Sequence, residues 1–213
     1  MRVALTFDAE HPDRPRSSPQ GLSAILEALA AAEARATFFL QGRWARAFPG
    51  LARRIADHGH LVGSHSYFHA RMPLLSDGGL EFDIREAERW IRAATGASPR
   101  PWFRLPWGHG DPRVRAALDR HRYIPVGWDV VAEDWEESRT PRAVEDGLMA
   151  GIRAVGDGAI VLLHTWPGAT EEVLPRVLRR LQEEEARFVT VAELIDRDLE
   201  KTSDPPVATA NPH

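Results

Sequence analysis

Short apolar runs rich in β-forming residues alternate along this chain with longer stretches of helical period, and this alternation constrains the fold more than any other feature. The runs Val3–Phe7, Ala36–Leu40, Leu61–Ser64, Trp102–Leu105, Ile124–Trp128, Ala159–Leu163 and Arg187–Val191 read as strands. Between them lie amphipathic segments carrying Leu22, Ile25, Leu26 and Leu29, then Val144, Leu148, Ile152 and Val155, then Leu174, Val177, Leu178 and Leu181. Each set follows the i, i+3, i+4, i+7 spacing of one helix face or a close variant of it. The pattern predicts an α/β protein, a single-domain distorted (β/α) barrel of about seven parallel strands, with an open doubly wound sheet as the competing topology. The domain is expected to span residues 1–200. The Pro-rich, aperiodic stretch 201–213 is expected to be a disordered tail.

Composition removes several kinds of chemistry. Lys201 is the only lysine, which excludes lysine Schiff-base catalysis in the body of the fold and a phosphate-binding P-loop. The absence of cysteine excludes thiol nucleophiles and Cys-held zinc or iron–sulfur sites, so any metal has to be held by His, Asp or Glu. A net charge of -4 and a pI near 6.1 give no basic surface for nucleic acid, which is not an expected partner. No apolar stretch approaches the roughly 18–20 residues of a membrane span, so none is predicted. As written the sequence predicts a cytoplasmic protein, and a secreted one if a leader has been removed.

Polar residues able to do chemistry follow the apolar runs at their C-terminal ends. Leu5-Thr6-Phe7 leads into Asp8 and Glu10, Leu61 to Ser64 into His65 and His69, Trp102-Phe103 into Arg104, and Ile160 to Leu163 into His164. In a parallel barrel these ends share one face, so residues distant in sequence converge there. His65 and His69, read as i and i+4 on a helical turn, could chelate one metal. A catalytic site of that kind needs a third protein ligand, typically a carboxylate, for which Asp8 and Glu10 are candidates.

Thr6-Phe7-Asp8, His65-Ser66-Tyr67-Phe68-His69, Arg104-Leu105-Pro106-Trp107, Asp134-Trp135 and Leu163-His164 stand in the order and approximate spacing of five sequence motifs. Together they resemble the polysaccharide deacetylases, the NodB-homology family of carbohydrate esterases, over residues 1 to about 195. The resemblance implies a distorted β/α barrel, a divalent metal (zinc first, with cobalt, manganese or nickel as alternatives) and hydrolysis of an acetamide on an amino sugar or polysaccharide. By the same resemblance Asp8 is the catalytic base, and His65 and His69 are metal ligands. Arg104 holds and orients the base, a charge-assisted bond that Arg makes better than Lys. His164 is the general acid and Asp134 orients it. Trp135 and Leu163 wall the acetyl pocket, and the backbone N–H of Trp107 donates to the oxyanion.

The chain departs from the family pattern at Ala9, where relatives usually carry a second, metal-binding Asp. Residues i and i+2 on an extended strand share a face, so Glu10 is expected to stand beside Asp8 as the third ligand. Val131 likewise sits where the fourth motif commonly begins with Asp, although Asp129 is near. His11, directly after Glu10, could be a ligand but in His-Pro-Asp reads first as a turn residue; His109 reads as lining or gating the cleft, and His58, His60 and His121 as partners of helix-end carbonyls. Trp166 is read as core or as a sugar-stacking platform. The expected function is metal-dependent removal of acetyl groups from N-acetylated, or O-acetylated, sugars. Alternatives are a C–N hydrolase acting on a small cyclic amide and a non-catalytic carbohydrate-binding relative.

Overall fold

A computed structural model describes residues 1–13 and 19–195; the expected tail at 201–213 and the end of the expected domain lie outside the described residues. β1 (Arg2–Ala9) is central and buried along nearly its whole length. Its register partners are β7 (Ala159–His164) on one edge and β2 (Thr37–Leu40) on the other. From β2 the sheet continues through β3 (Leu61–Ser64) and β4 (Trp102–Phe103) to β5 (Ile124–Pro125), and from β7 to β6 (Val130–Val131). Every pairing along this seven-strand path is parallel, as expected. Among the described residues β5 and β6 do not pair, so the path forms an open half-barrel. An eighth strand, β8 (Arg187–Phe188), pairs with the first residues of β1.

The helices α1 (Pro19–Ala31), α2 (Gly42–Ala47), α3 (Pro49–Asp57), α4 (Asp77–Thr95), α5 (Pro112–Arg120), α6 (Pro141–Val155) and α7 (Gly168–Glu183) occupy the crossovers. Local chemistry fixes several of their starts. Ser76, Asp111 and Thr140 each accept a backbone N–H from three residues ahead, satisfying a donor the helix itself leaves open. Pro112 and Pro141 follow two of these caps at the first helical position, where a missing N–H costs nothing. Of the expected helix-face residues Val155 alone is exposed, because it is the last residue of α6.

Strand alternation sorts side chains into two layers. Val3, Leu5, Phe7 and Ala9 join the large core beneath the helices, together with Phe38, Leu40, Val161 and Leu163. Ala4, Phe39 and Ile160 face the barrel interior with Trp102, Val126 and Val191. Asp8 and His164 continue the interior series, which places them at its open C-terminal mouth. Gly63 is required where it is, because a Cβ there would lie 2.6 Å from the Phe39 ring.

Several expected strands are shorter than predicted. β4, β5 and β8 each retain only two residues of ladder, and β6 follows β5 as a separate strand that sequence reading did not separate. Runs of two residues are too short to express a hydrophobic period.

Candidate active site

Asp8 reaches the barrel mouth from the end of β1 and meets Arg104, which follows β4. The Arg104 Nη1 lies 3.0 Å from Asp8 Oδ1 and donates at 2.7 Å to the Thr6 hydroxyl, while Nη2 donates at 3.0 Å to the Gly127 carbonyl. The guanidinium lies over the Phe39 ring, 4.2 Å from its centroid. Arg104 is entirely buried, and burial pushes its proton affinity down while Asp8 opposes the shift. A buried cation is tolerated here because it is paired and its other donors are satisfied.

His65 and His69 come together by a route the sequence does not display. The segment after β3 is irregular rather than a helical turn, with Ser66 and His69 both in the left-handed region at φ 59°. Asp83 of α4, buried, pins it by accepting the backbone N–H groups of Tyr67 and Phe68, each at 3.0 Å. The Ser66 hydroxyl accepts the His69 N–H at 2.9 Å. The Nδ1 of His65 sits 2.9 Å from the Arg104 carbonyl, a bond that places the proton on Nδ1 and leaves the Nε2 lone pair facing the cleft.

Glu10 completes this arrangement. Its Oε2 lies 3.2 Å from His65 Nε2 and 2.7 Å from His69 Nε2, and the three ligand atoms fall within 4.8 Å of one another. Although both imidazole nitrogens are close, Oε2 is buried without a well-aligned hydrogen bond. Three ligand atoms this close together form one compact donor set that could hold a metal ion. Two imidazoles and one carboxylate suit a divalent transition ion with open positions.

On the other side of the cleft His164, at the end of β7, is held by Asp134. The imidazole Nδ1 is 2.8 Å from Asp134 Oδ1, and Asp134 Oδ2 accepts the His164 backbone N–H at 2.8 Å and the Thr170 hydroxyl at 2.6 Å. A cleft of about 260 Å³ joins the two sides, bounded by Leu105, Trp107, Trp128, Trp135, Leu162 and Trp166.

A family model described as polysaccharide deacetylase matches residues 1–126, more than half of the chain. The chain belongs to the polysaccharide deacetylase family. The peptidoglycan-N-acetylglucosamine deacetylase PgdA of Listeria monocytogenes is 32% identical over 200 residues, covering 93% of this chain and 40% of that protein. The peptidoglycan deacetylase PdaC of Bacillus subtilis superposes with a TM-score of 0.82 at 26% identity, covering 95% of this chain and 93% of the other. A pseudoenzyme of carbohydrate esterase family 4 from Bacillus anthracis superposes with a TM-score of 0.81 at 31% identity, covering 91% and 65%. The family thus includes deacetylases and a pseudoenzyme within reach of this chain, so its own residues have to decide the chemistry.

As a deacetylase-family site it is strongly polarised. Burial penalises the His164 charge, but Asp134 outweighs it and, with smaller help from Glu10 and Asp8, raises the imidazole to about 9. Burial likewise opposes ionisation of Glu10, yet the hydrogen-bonding reach of His11, His65 and His69 holds its carboxyl well below the usual range.

Of the residues expected from sequence, Asp8, Glu10, His65, His69, Trp107, Trp135 and His164 line one cleft, with Arg104 and Asp134 directly behind. Trp107 is in the left-handed region, with its ring 5.0 Å from that of His69, and Trp135 stands edge-on to His164. Leu163 does not line the pocket. It faces the helix layer, and Leu162 takes its place, because side-chain direction alternates along β7. Asp129 lies outside the cleft and accepts the Ile160 N–H. His60 accepts the Ala36 N–H through Nδ1, and His121 pairs with Glu81, so neither serves a helix-end carbonyl. His109 contacts Arg71 rather than lining the cleft. Trp166 lines it, with its indole N–H 3.3 Å from Glu10. Asp83 went unrecognised in the sequence, and His11, read first as a turn residue and second as a ligand, lies in the cleft with its Nε2 3.0 Å from Glu10 Oε1.

Proposed function

We propose that this chain is a metal-dependent deacetylase that hydrolyses the N-acetyl group of amino sugars in a polysaccharide or glycan strand, with zinc as the metal. The observation that carries this reading is the placement of a carboxylate and an imidazole–carboxylate pair on either side of one donor set. Asp8 faces it from the Arg104 side, and the His164–Asp134 pair faces it from the other.

When bound, a divalent cation at His65, His69 and Glu10 supplies Lewis acidity to the amide carbonyl and lowers the pKa of water. Asp8 takes a proton from the attacking water as the new C–O bond forms. The backbone N–H of Trp107 donates to the developing oxyanion. His164, protonated at neutral pH, gives its proton to the sugar nitrogen as the C–N bond breaks, releasing acetate and a free amine. Asp134 keeps that imidazole oriented, and Thr170 in turn fixes Asp134. Leu162, Trp128 and Trp135 offer an apolar wall for the acetyl methyl. A carbohydrate-binding role without catalysis is favoured only by likeness to a pseudoenzyme; binding alone calls for no such acid–base pair.

The test is acetate release from N-acetylglucosamine oligomers and peptidoglycan fragments by zinc-loaded protein, alongside Asp8→Asn. Activity in the wild type, and its loss by at least about 100-fold in Asp8→Asn with zinc retained, is expected for a group that acts in the transition state. Bound zinc and bound oligosaccharide with no acetate released would reject the catalytic reading in favour of a binding role.

A further inference from the structure

We infer that His11 is a positioning residue for Glu10: its imidazole N–H holds Oε1, so that Oε2 is presented between His65 and His69. This inference rests on the metal-dependent reading above. The two carboxylate oxygens of Glu10 have separate neighbourhoods. Oε2 faces the Nε2 atoms of His65 and His69, whereas Oε1 lies 3.0 Å from His11 Nε2 and 3.3 Å from the Trp166 indole N–H. The carboxylate is thereby gripped on one oxygen and left to coordinate through the other.

A Glu has one more rotatable bond than an Asp, so fixing it as a ligand costs more side-chain entropy. A partner that pre-orders it removes that cost before any cation arrives.

The backbone is shaped to provide this partner. On an extended strand residue 11 would point away from residue 10. Instead His11 adopts φ 54°, a left-handed turn that brings its ring back to the face Glu10 occupies. The turn is secured by Gln41, which is buried: its side-chain oxygen accepts the His11 N–H at 2.9 Å, and its own N–H donates to the Ala9 carbonyl at 2.9 Å. The ring is then confined edge-on between His69, at 4.9 Å, and Trp166, at 6.2 Å. Left-handed backbone is uncommon outside Gly, His being one of the types enriched there, and at His11 the two Gln41 hydrogen bonds hold it. The convergent donor set contains Glu10, His65 and His69 and does not include His11, which separates orienting from ligating.

Zinc affinity of the full chain is to be measured by competition with a chromophoric chelator, with the visible spectrum of the cobalt-loaded protein as a second readout. His11→Ala is expected to weaken zinc binding by about 10- to 100-fold, the range for losing a group that orients a ligand. His11→Gln, whose amide can still donate to Oε1, is expected to recover most of it. His11→Asn, which accepts the left-handed backbone but has a shorter reach, is expected to behave like His11→Ala and guards against a folding artefact. In a Glu10→Ala background, His11→Ala should add no further loss and leave the cobalt spectrum unchanged. Wild-type affinity in both His11→Ala and His11→Asn would overturn the inference, as would an equal loss in the Glu10→Ala background, which would make His11 a ligand itself. A wild-type chain that binds no divalent ion would instead overturn the metal-dependent reading and this inference with it.

Discussion

Asp8 and His164 are register partners in the parallel ladder between β1 and β7. The two side chains that flank the cleft from opposite sides are therefore set by the sheet itself, on neighbouring strands about 4.8 Å apart. Six consecutive residue pairs hold that ladder, and the helices pack over its outer face. A site built on paired strands is more rigid than one carried wholly on loops.

Replacing His164 by Ala should depress turnover by about 100-fold or more on acetamides, whose amine leaving group needs a proton, and spare activated aryl acetates, whose leaving group does not. The wild-type imidazole stands near 9, so the donor is present at neutral pH and lost as pH rises through that value. A bound cation adds positive charge nearby and brings the alkaline limb of kcat below about pH 9. Steady-state profiles on both substrate types check this; equal losses on both would make His164 structural.

Arg104→Lys is expected to fail despite conserving charge. One ammonium cannot reproduce contacts to Asp8, Thr6 and Gly127 together with stacking on Phe39. Losing a buried cation's hydrogen bonds to Thr6 and Gly127 while the ammonium still faces Asp8 costs about 1.5–3 kcal/mol, which urea denaturation would read as a lower midpoint at similar slope.

Asp83→Asn removes one of the two carboxylate oxygens that accept the Tyr67 and Phe68 N–H groups. The loop carrying His65 and His69 then loses a pin, and zinc affinity should fall by about 10-fold or more without any ligand having changed. Chelator competition on the folded variant measures it, and unchanged affinity would show that Ser66 and the left-handed turns suffice.

His60 makes stability depend on pH away from the site. Burial, aided by the neighbouring charges of His58 and Arg35, lowers its pKa to about 4, and its Nδ1 accepts a backbone N–H. The unfolded chain, titrating near 6.5, binds more protons between those values, so stability is full above about pH 6.5 and declines as pH falls toward 4. Denaturation midpoints from pH 7 to 4 should fall more steeply in the wild type than in His60→Asn. Parallel slopes would rule His60 out as the cause.

The sequence discloses the site better than the scaffold that sets it. Asp8, Arg104 and His164 follow long or strongly apolar runs, so parallel-strand logic alone brings them to one face. Leu163 was misplaced by one residue because a continuous apolar run such as Ile160 to Leu163 carries no alternation from which to read facing. His65 and His69 have a spacing that fits a helix, yet Asp83, sixteen residues from Tyr67, holds them in a loop. Contacts made through backbone N–H groups leave no trace in residue type at the receiving end, and so Asp83 read as an ordinary acidic residue on a helix.

β8 occupies the part of the β1 edge that β2 leaves open. Arg187 and Val189 donate their N–H groups to the carbonyls of Met1 and Val3, while β2 takes over the same edge only from Thr6 onward. Among the described residues the first strand is thus completed by the last. During synthesis the first half of β1 keeps an open hydrogen-bonding edge until residues near 189 have left the ribosome, and the strand that carries Asp8 reaches its final pairing only then. Folding of the cleft face is consequently tied to the arrival of a segment that lines no part of it.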